Sequence, residues 1–122
     1  IHELIDKKPD DFHVISGDDP TALATTLAGG SGVISVLGQG LPQEFSKMIR
    51  LGLKGKSEEA SELQEAMLGG MNLIFEEGNP AGIKSVFETL QLCDATVRLP
   101  LVEASQQLKE KISAFFQYSI YF

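Results

Sequence analysis

The segment Val33-Ile34-Ser35-Val36-Leu37 is almost continuously apolar, the pattern of a strand covered on both faces in a parallel sheet. One comparable segment precedes it, Phe12-His13-Val14-Ile15-Ser16-Gly17, which reads as a short strand ending in the acidic loop Asp18-Asp19. Between the two, a helix over 20–28 starts at Pro20, turns Ala22, Leu23 and Leu27 toward a core, and stops at Gly29-Gly30-Ser31-Gly32. Strand, helix and strand make a right-handed crossover, the unit of parallel sheets and barrels. Two parallel strands cannot cover their own faces and edges. The sequence therefore calls for more strands than it contains.

Everything beyond Leu37 reads mainly as helix. After the loop Gly38-Gln39-Gly40-Leu41-Pro42, a helix over 43–53 buries Phe45, Met48, Ile49 and Leu53, and Gly55 closes it. Ser57 can cap a longer helix with Glu58 and Glu59 in its first turn and a stripe of Leu63, Met67, Met71, Ile74 and Phe75. Gly69-Gly70 in its middle marks a kink or a close helix contact. Gly78-Asn79-Pro80 starts a further helix through Ile83, Val86, Phe87 and Leu90, ended by Cys93-Asp94, and the last helix runs through Leu108, Ile112, Phe115 and Phe116. At the other end, Ile1, Leu4 and Ile5 share one helix face with no capping residue before them. The chain is expected to begin inside an element.

Composition narrows the partners. A net charge of −7 over 122 residues argues against nucleic acid, whose binding needs clustered Lys and Arg. The apolar runs are far shorter than the roughly 20 residues needed to cross a bilayer, so no membrane span is expected. A single cysteine, Cys93, offers neither a disulfide nor a metal set, and the N-terminus lacks a signal-peptide layout, which together fit a cytoplasmic protein.

Four blocks carry a resemblance over nearly the whole chain: Val14-Ile15-Ser16-Gly17-Asp18-Asp19, Gly29-Gly30-Ser31-Gly32-Val33-Ile34-Ser35-Val36, Glu77-Gly78-Asn79-Pro80-Ala81-Gly82-Ile83-Lys84 and Val97-Arg98-Leu99-Pro100-Leu101. In order and spacing they resemble the C-terminal part of the dihydrodipicolinate synthases. The resemblance implies an α/β fold, the C-terminal portion of a (β/α)8 barrel. Residues 1–55 would hold its last two βα units, and 56–122 a three-helix C-terminal region. It also implies class I aldolase chemistry, in which a lysine forms a Schiff base with pyruvate and the enamine attacks aspartate semialdehyde, an early step of lysine biosynthesis. The parent would be a homotetramer or homodimer, with Leu23 and Leu27 as candidates for an oligomer surface. No cofactor and no metal are implied.

The family's Schiff-base lysine and its proton-relaying tyrosine would both lie before Ile1. The residues agree, because such a lysine must be desolvated and aimed into a pocket. Lys7, Lys8, Lys54 and Lys56 lie in turns, and Lys47, Lys84, Lys109 and Lys111 lie on helices as solvated side chains do. No catalytic residue is assigned within this chain, and it is expected to be inactive alone.

Two strand ends remain as site candidates, since barrel sites gather at the C-terminal ends of strands. At Gly17-Asp18-Asp19, an Asx-type turn with one Asp capping the helix near Pro20 is the plain reading. The resemblance implies in addition that Gly17 admits the second substrate to the backbone and that Asp18 adds polarity near the semialdehyde. One Asp can cap while the other faces the pocket. At the second end, the strand pattern alone makes Ile34 a core residue, whereas in the family the matching isoleucine contacts bound pyruvate. Gly17, Asp18 and Ile34 are thus the expected substrate-binding residues.

Other readings fare worse. The Gly29 to Gly32 cluster comes before a strand, the reverse of a dinucleotide fingerprint, and two adjacent carboxylates are a thin set for a divalent ion. A receiver domain needs five alternating strands. His2 and His13 have no partners at metal spacing and read as structural. Within the same superfamily the alternative is another pyruvate-dependent lyase such as N-acetylneuraminate lyase, against which the Asn79-Pro80 and Arg98-Leu99-Pro100 blocks weigh. The aromatic tail Tyr118-Ser119-Ile120-Tyr121-Phe122 is expected to pack on its own fold.

Overall fold

A computed structural model of the chain describes residues 1–119. Helix α1 (His2–Lys7) has no side-chain cap at its start, and a turn leads to strand β1 (Ile15–Ser16). Helix α2 (Ala22–Leu27) crosses to strand β2 (Gly32–Val33). The two strands pair in parallel, Ile15 opposite Gly32 and Ser16 opposite Val33. A 3₁₀ turn over Leu37–Gln39 precedes α3 (Pro42–Leu53), which has Pro42 in its first turn, where the missing N–H costs nothing. Then come α4 (Ser57–Phe75), α5 (Ala81–Thr89), α6 (Gln106–Ala114) and a π-helical turn over Phe115–Ser119. This is a helix-rich α/β chain with a small parallel sheet.

The chain divides into two compact units, Ile1–Glu65 and Ala66–Phe122. In the first, α2 packs on both strands and on α3. Leu23, Leu37, Phe45 and Met48 form its buried core. The approach of α2 to α3 is close: a Cβ on Gly52 would lie 2.9 Å from Leu23 and 3.1 Å from Thr26. In the second unit α5 packs on α6, and Met71, Ile74, Val86, Leu108 and Ile112 are fully buried. Gly82 sits so near the backbone of Ile74 that any side chain there would collide with the Ile74 carbonyl.

Three helices end in the same way. At α2 the Gly30 N–H donates to the Thr25 carbonyl at 2.9 Å, with Gly29 at φ +113°. At α3 the Lys56 N–H reaches Leu51 at 3.0 Å, with Gly55 at φ +73°. At α5 the Leu92 N–H reaches Phe87 at 2.8 Å, with Gln91 at φ +59°. All are Schellman closures, in which one left-handed residue lets two orphan carbonyls find donors. The glycines announce the first two. The third falls on Gln91, so α5 ends at Thr89 rather than at Cys93-Asp94.

Several expectations need correction. Strand pairing covers Gly32–Val33, not the whole run 33–37, because β1 leaves the ladder after Ser16 and the chain from Leu37 winds into a 3₁₀ turn. Ser57 is the first helical residue of α4 rather than a residue before it. Leu27, Leu53 and Phe75 are 40%, 54% and 39% exposed, each the last residue of its helix and beyond the buried stripe. Leu23 is 3% exposed and belongs to the core of its own unit, which removes it as an oligomer contact. Of the two alternatives expected at Gly69-Gly70, the close contact is the one found, within the continuous helix α4, since a Cβ on Gly69 would fall 2.7 Å from the Phe115 ring. Of the C-terminal tail, Tyr118 is exposed; Ile120, Tyr121 and Phe122 lie outside the described residues.

Candidate functional site at the ends of two parallel strands

The parallel register sets the C-terminal ends of β1 and β2 side by side. Beyond the last paired residues the ladder gives one more hydrogen bond, from the Ile34 N–H to the Ser16 carbonyl at 2.9 Å. That carbonyl belongs to the peptide joining Ser16 to Gly17. Ile34 and Gly17, two of the three expected substrate residues, are therefore brought to one edge.

Ile34 is 78% exposed, in contrast to the core position that the strand pattern alone predicts. Its neighbour Leu37 is fully buried. Gly17 faces open space, with no atom within 4 Å of where its Cβ would stand. Nothing within the chain therefore requires a glycine there. Asp18 is exposed. Its Oδ2 accepts the Thr21 N–H at 3.2 Å and the Thr21 hydroxyl at 2.8 Å, the Asx turn expected of this loop. Its other oxygen has no hydrogen-bond partner among the described residues. The Ser16 hydroxyl fixes the turn from behind, accepting from the Asp18 N–H at 3.2 Å and donating to the Asp18 carbonyl at 3.0 Å.

The adjacent acid points the other way. Asp19 is 1% exposed, and both of its oxygens are engaged. Oδ1 accepts the Ser35 hydroxyl at 2.5 Å, and Oδ2 accepts the Leu37 N–H at 2.8 Å. Ser35 Oγ in turn accepts the Gly38 N–H at 2.8 Å. A carboxyl group this deeply buried is tolerable only when its lone pairs are met. The sequence reading left open which acid caps and which faces outward. Asp18 holds the turn while staying accessible, and Asp19 ties the loop after β1 to the loop after β2.

The tie between Asp19 and Ser35 is not foreseen from sequence. A signal was present: Ser35 is a lone polar residue inside the apolar run 33–37, and such a residue has to find a partner when buried. A cleft of about 500 Å³ is lined by Ser35 together with Gly32, Val33, Phe45, Ile49 and Arg50. Gly17, Asp18 and Ile34 do not line it. Among the described residues no group of three or more His, Cys, Asp or Glu is placed to hold a metal ion, and no helix is long and apolar enough to cross a membrane.

A crossover of parallel strands, with polar and accessible groups gathered at the strand ends, defines an α/β protein of the kind that receives ligands at that edge. Comparison with known proteins makes this specific. The profile of the dihydrodipicolinate synthetase family matches residues 1–118, and the chain belongs to that family. The 4-hydroxy-tetrahydrodipicolinate synthase of Flavobacterium psychrophilum is 51% identical over 113 residues, covering 93% of this chain and 39% of that protein. The synthase of Cytophaga hutchinsonii is 42% identical over 110 residues, 90% of this chain and 37% of its own length.

Solved structures agree. Dihydrodipicolinate synthase from Aquifex aeolicus superposes with a TM-score of 0.86 at 32% identity, over 91% of this chain and 38% of that one. The chloride-inhibited enzyme from Acinetobacter baumannii, complexed with pyruvate, superposes with a TM-score of 0.89 at 30% identity, over 95% of this chain and 40% of that one. The chain thus spans about two fifths of the length of the relatives it matches.

Proposed function

We propose that this chain forms a substrate-facing wall of a class I pyruvate-dependent synthase, a lyase that condenses pyruvate with aspartate semialdehyde in lysine biosynthesis. The observation that carries this is the strand-end edge. Ile34 stands 78% exposed out of an apolar run, beside a glycine with open space above it. In this reading Ile34 gives apolar contact to pyruvate, Gly17 lets the second substrate approach the backbone, and the free oxygen of Asp18 lies near the semialdehyde.

The reading places residues 1–55 as the last two βα units of a (β/α)8 barrel and 56–122 as its C-terminal helical region. The parent enzyme would be a cytoplasmic homotetramer or homodimer that uses no cofactor. The Schiff-base lysine and the proton-relaying tyrosine come from the rest of the barrel. Within this chain the task is binding and orientation, which governs how often a nucleophile and an aldehyde meet in reactive geometry.

The test is a graft in which the matching stretch of the Flavobacterium psychrophilum synthase is replaced by the corresponding 113-residue stretch of this chain. Condensing activity with pyruvate and aspartate semialdehyde is expected in the graft. Borohydride trapping of pyruvate on the isolated chain is expected to give no adduct. An inactive but folded graft, or a stable pyruvate adduct on a lysine of the isolated chain, would defeat the proposal.

A further inference from the structure

We infer that Asp19 is a positioning residue for this edge, setting the offset between the backbone at Gly17-Asp18 and the backbone at Ile34 without touching substrate. The inference rests on the reading of those three residues as the substrate wall.

Three observations carry it. Asp19 has no accessible oxygen to offer a ligand, being 1% exposed with both oxygens accepting. Its partners stand after Ile34 in the chain, Ser35 and then Leu37, while the Ile34 N–H is held by Ser16 before the loop. Ile34 is thus bracketed by two ties to the β1 side, one from before the Gly17-Asp18 loop and one from after it. Third, the Ser35 hydroxyl gives its one hydrogen to Asp19 while accepting from the Gly38 N–H. It has no hydrogen left for a substrate.

Apolar packing also acts on this side of the unit, where Leu37 is fully buried. Packing is non-directional, however, and leaves the sliding of one strand end along the other weakly specified. A carboxyl group with one oxygen accepting from a side-chain hydroxyl and the other from a backbone N–H fixes that displacement in two directions. The neighbouring acids therefore divide the work: Asp18 presents an oxygen to the edge and Asp19 sets where the edge stands.

The experiment uses the graft described above. Asp19→Asn keeps the shape but places an NH2 against one of two donors. Ser35→Ala removes the bridging hydroxyl, and Ser35→Thr retains it. Asp19→Asn and Ser35→Ala are each expected to raise KM for pyruvate by about tenfold or more, since sub-ångström displacement of a binding wall is costly. At saturating pyruvate kcat should fall much less, and Ser35→Thr should restore KM to within about twofold of the unmodified graft.

A merely structural role would lower the folded, active fraction and hence apparent kcat, with KM unchanged. That result in both variants overturns the inference. If the unmodified graft is itself folded and inactive, the functional reading has failed separately. The tie is then judged by amide exchange in this chain alone. Loss of protection at Leu37 and Gly38 in Asp19→Asn, with a shifted Ile34 amide, supports it. Unaltered protection overturns it.

Discussion

Glu77 grips Ser105 twice, its Oε1 accepting the Ser105 N–H at 2.8 Å and its Oε2 the Ser105 hydroxyl at 2.5 Å. Ser105 is the N-cap of α6, and its Oγ also accepts the Leu108 N–H at 3.2 Å. A residue just beyond α4 thereby organises the start of α6. The Ser105 hydroxyl and N–H, with the nearby Lys111 ammonium, hold the Glu77 carboxyl below its ordinary value of 4.5.

The sign of the pH effect follows. A carboxyl whose value is depressed on folding adds stability above its unfolded value, and that contribution is lost as pH falls through the folded one. Thermal unfolding followed from pH 7 into the acid range should therefore show a decline beginning near pH 4.5 that is shallower in Glu77→Gln. An acid limb identical in the two proteins would remove Glu77 from the account.

Phe115 lies flat enough against α4 that the glycines are needed. A Cβ on Gly69 would approach its ring to 2.7 Å, and one on Gly70 to 2.9 Å. Gly69→Ala should cost about 1–3 kcal/mol by overpacking, despite the higher helix propensity of alanine. Phe115→Leu in the same chain should recover part of it. Denaturant unfolding of the two single variants and the double variant measures that coupling, and strict additivity would contradict the contact. Gly82→Ala should be worse, because the obstacle is the Ile74 backbone, which cannot rotate aside.

Gln91 occupies the left-handed position of the α5 closure at φ +59°. A side chain there costs roughly 1–2 kcal/mol of steric strain, part of which glycine returns as lost unfolded-state restriction. Gln91→Gly should therefore stabilise the chain by up to about 1 kcal/mol, read as a higher urea midpoint at unchanged slope.

Gly17 gives the cleanest separation of folding from function. Since its Cβ position is empty, Gly17→Ala should leave stability within about 0.5 kcal/mol, as surface substitutions do. In the graft the added methyl should obstruct the substrate edge and reduce kcat/KM for aspartate semialdehyde by more than tenfold, on the order of a misplaced binding group. Unchanged kinetics would show that Gly17 does not face substrate.

The crossover was legible because apolar runs and glycine stops are local signals. Gly29-Gly30 and Gly55 end their helices where the sequence says. Strand extent was over-read because an apolar run reports intended burial, whereas pairing depends on a partner, and β1 supplies one only through Ser16. The end of α5 was misplaced because Gln91 does a glycine's task without a glycine's identity. Between Asp18 and Asp19 the sequence is silent, since two like residues in a turn have no period to tell inward from outward. Their roles became distinct only when Ser35 and Leu37, distant in sequence, were brought beside one of them.

The pairing of Ile15 with Gly32 also bears on how quickly this part of the chain can assemble. The intervening segment is short and contains α2, with its stop written into Gly29 and Gly30. Closing the strands is then a short-range step rather than a long random search, and local closures of this kind are the fast ones. A ribosome that has released Leu37 has released every residue of the Asp19 tie except its Gly38 brace. The edge that holds Gly17 and Ile34 has all its residues in hand before the helices that follow it have been synthesised.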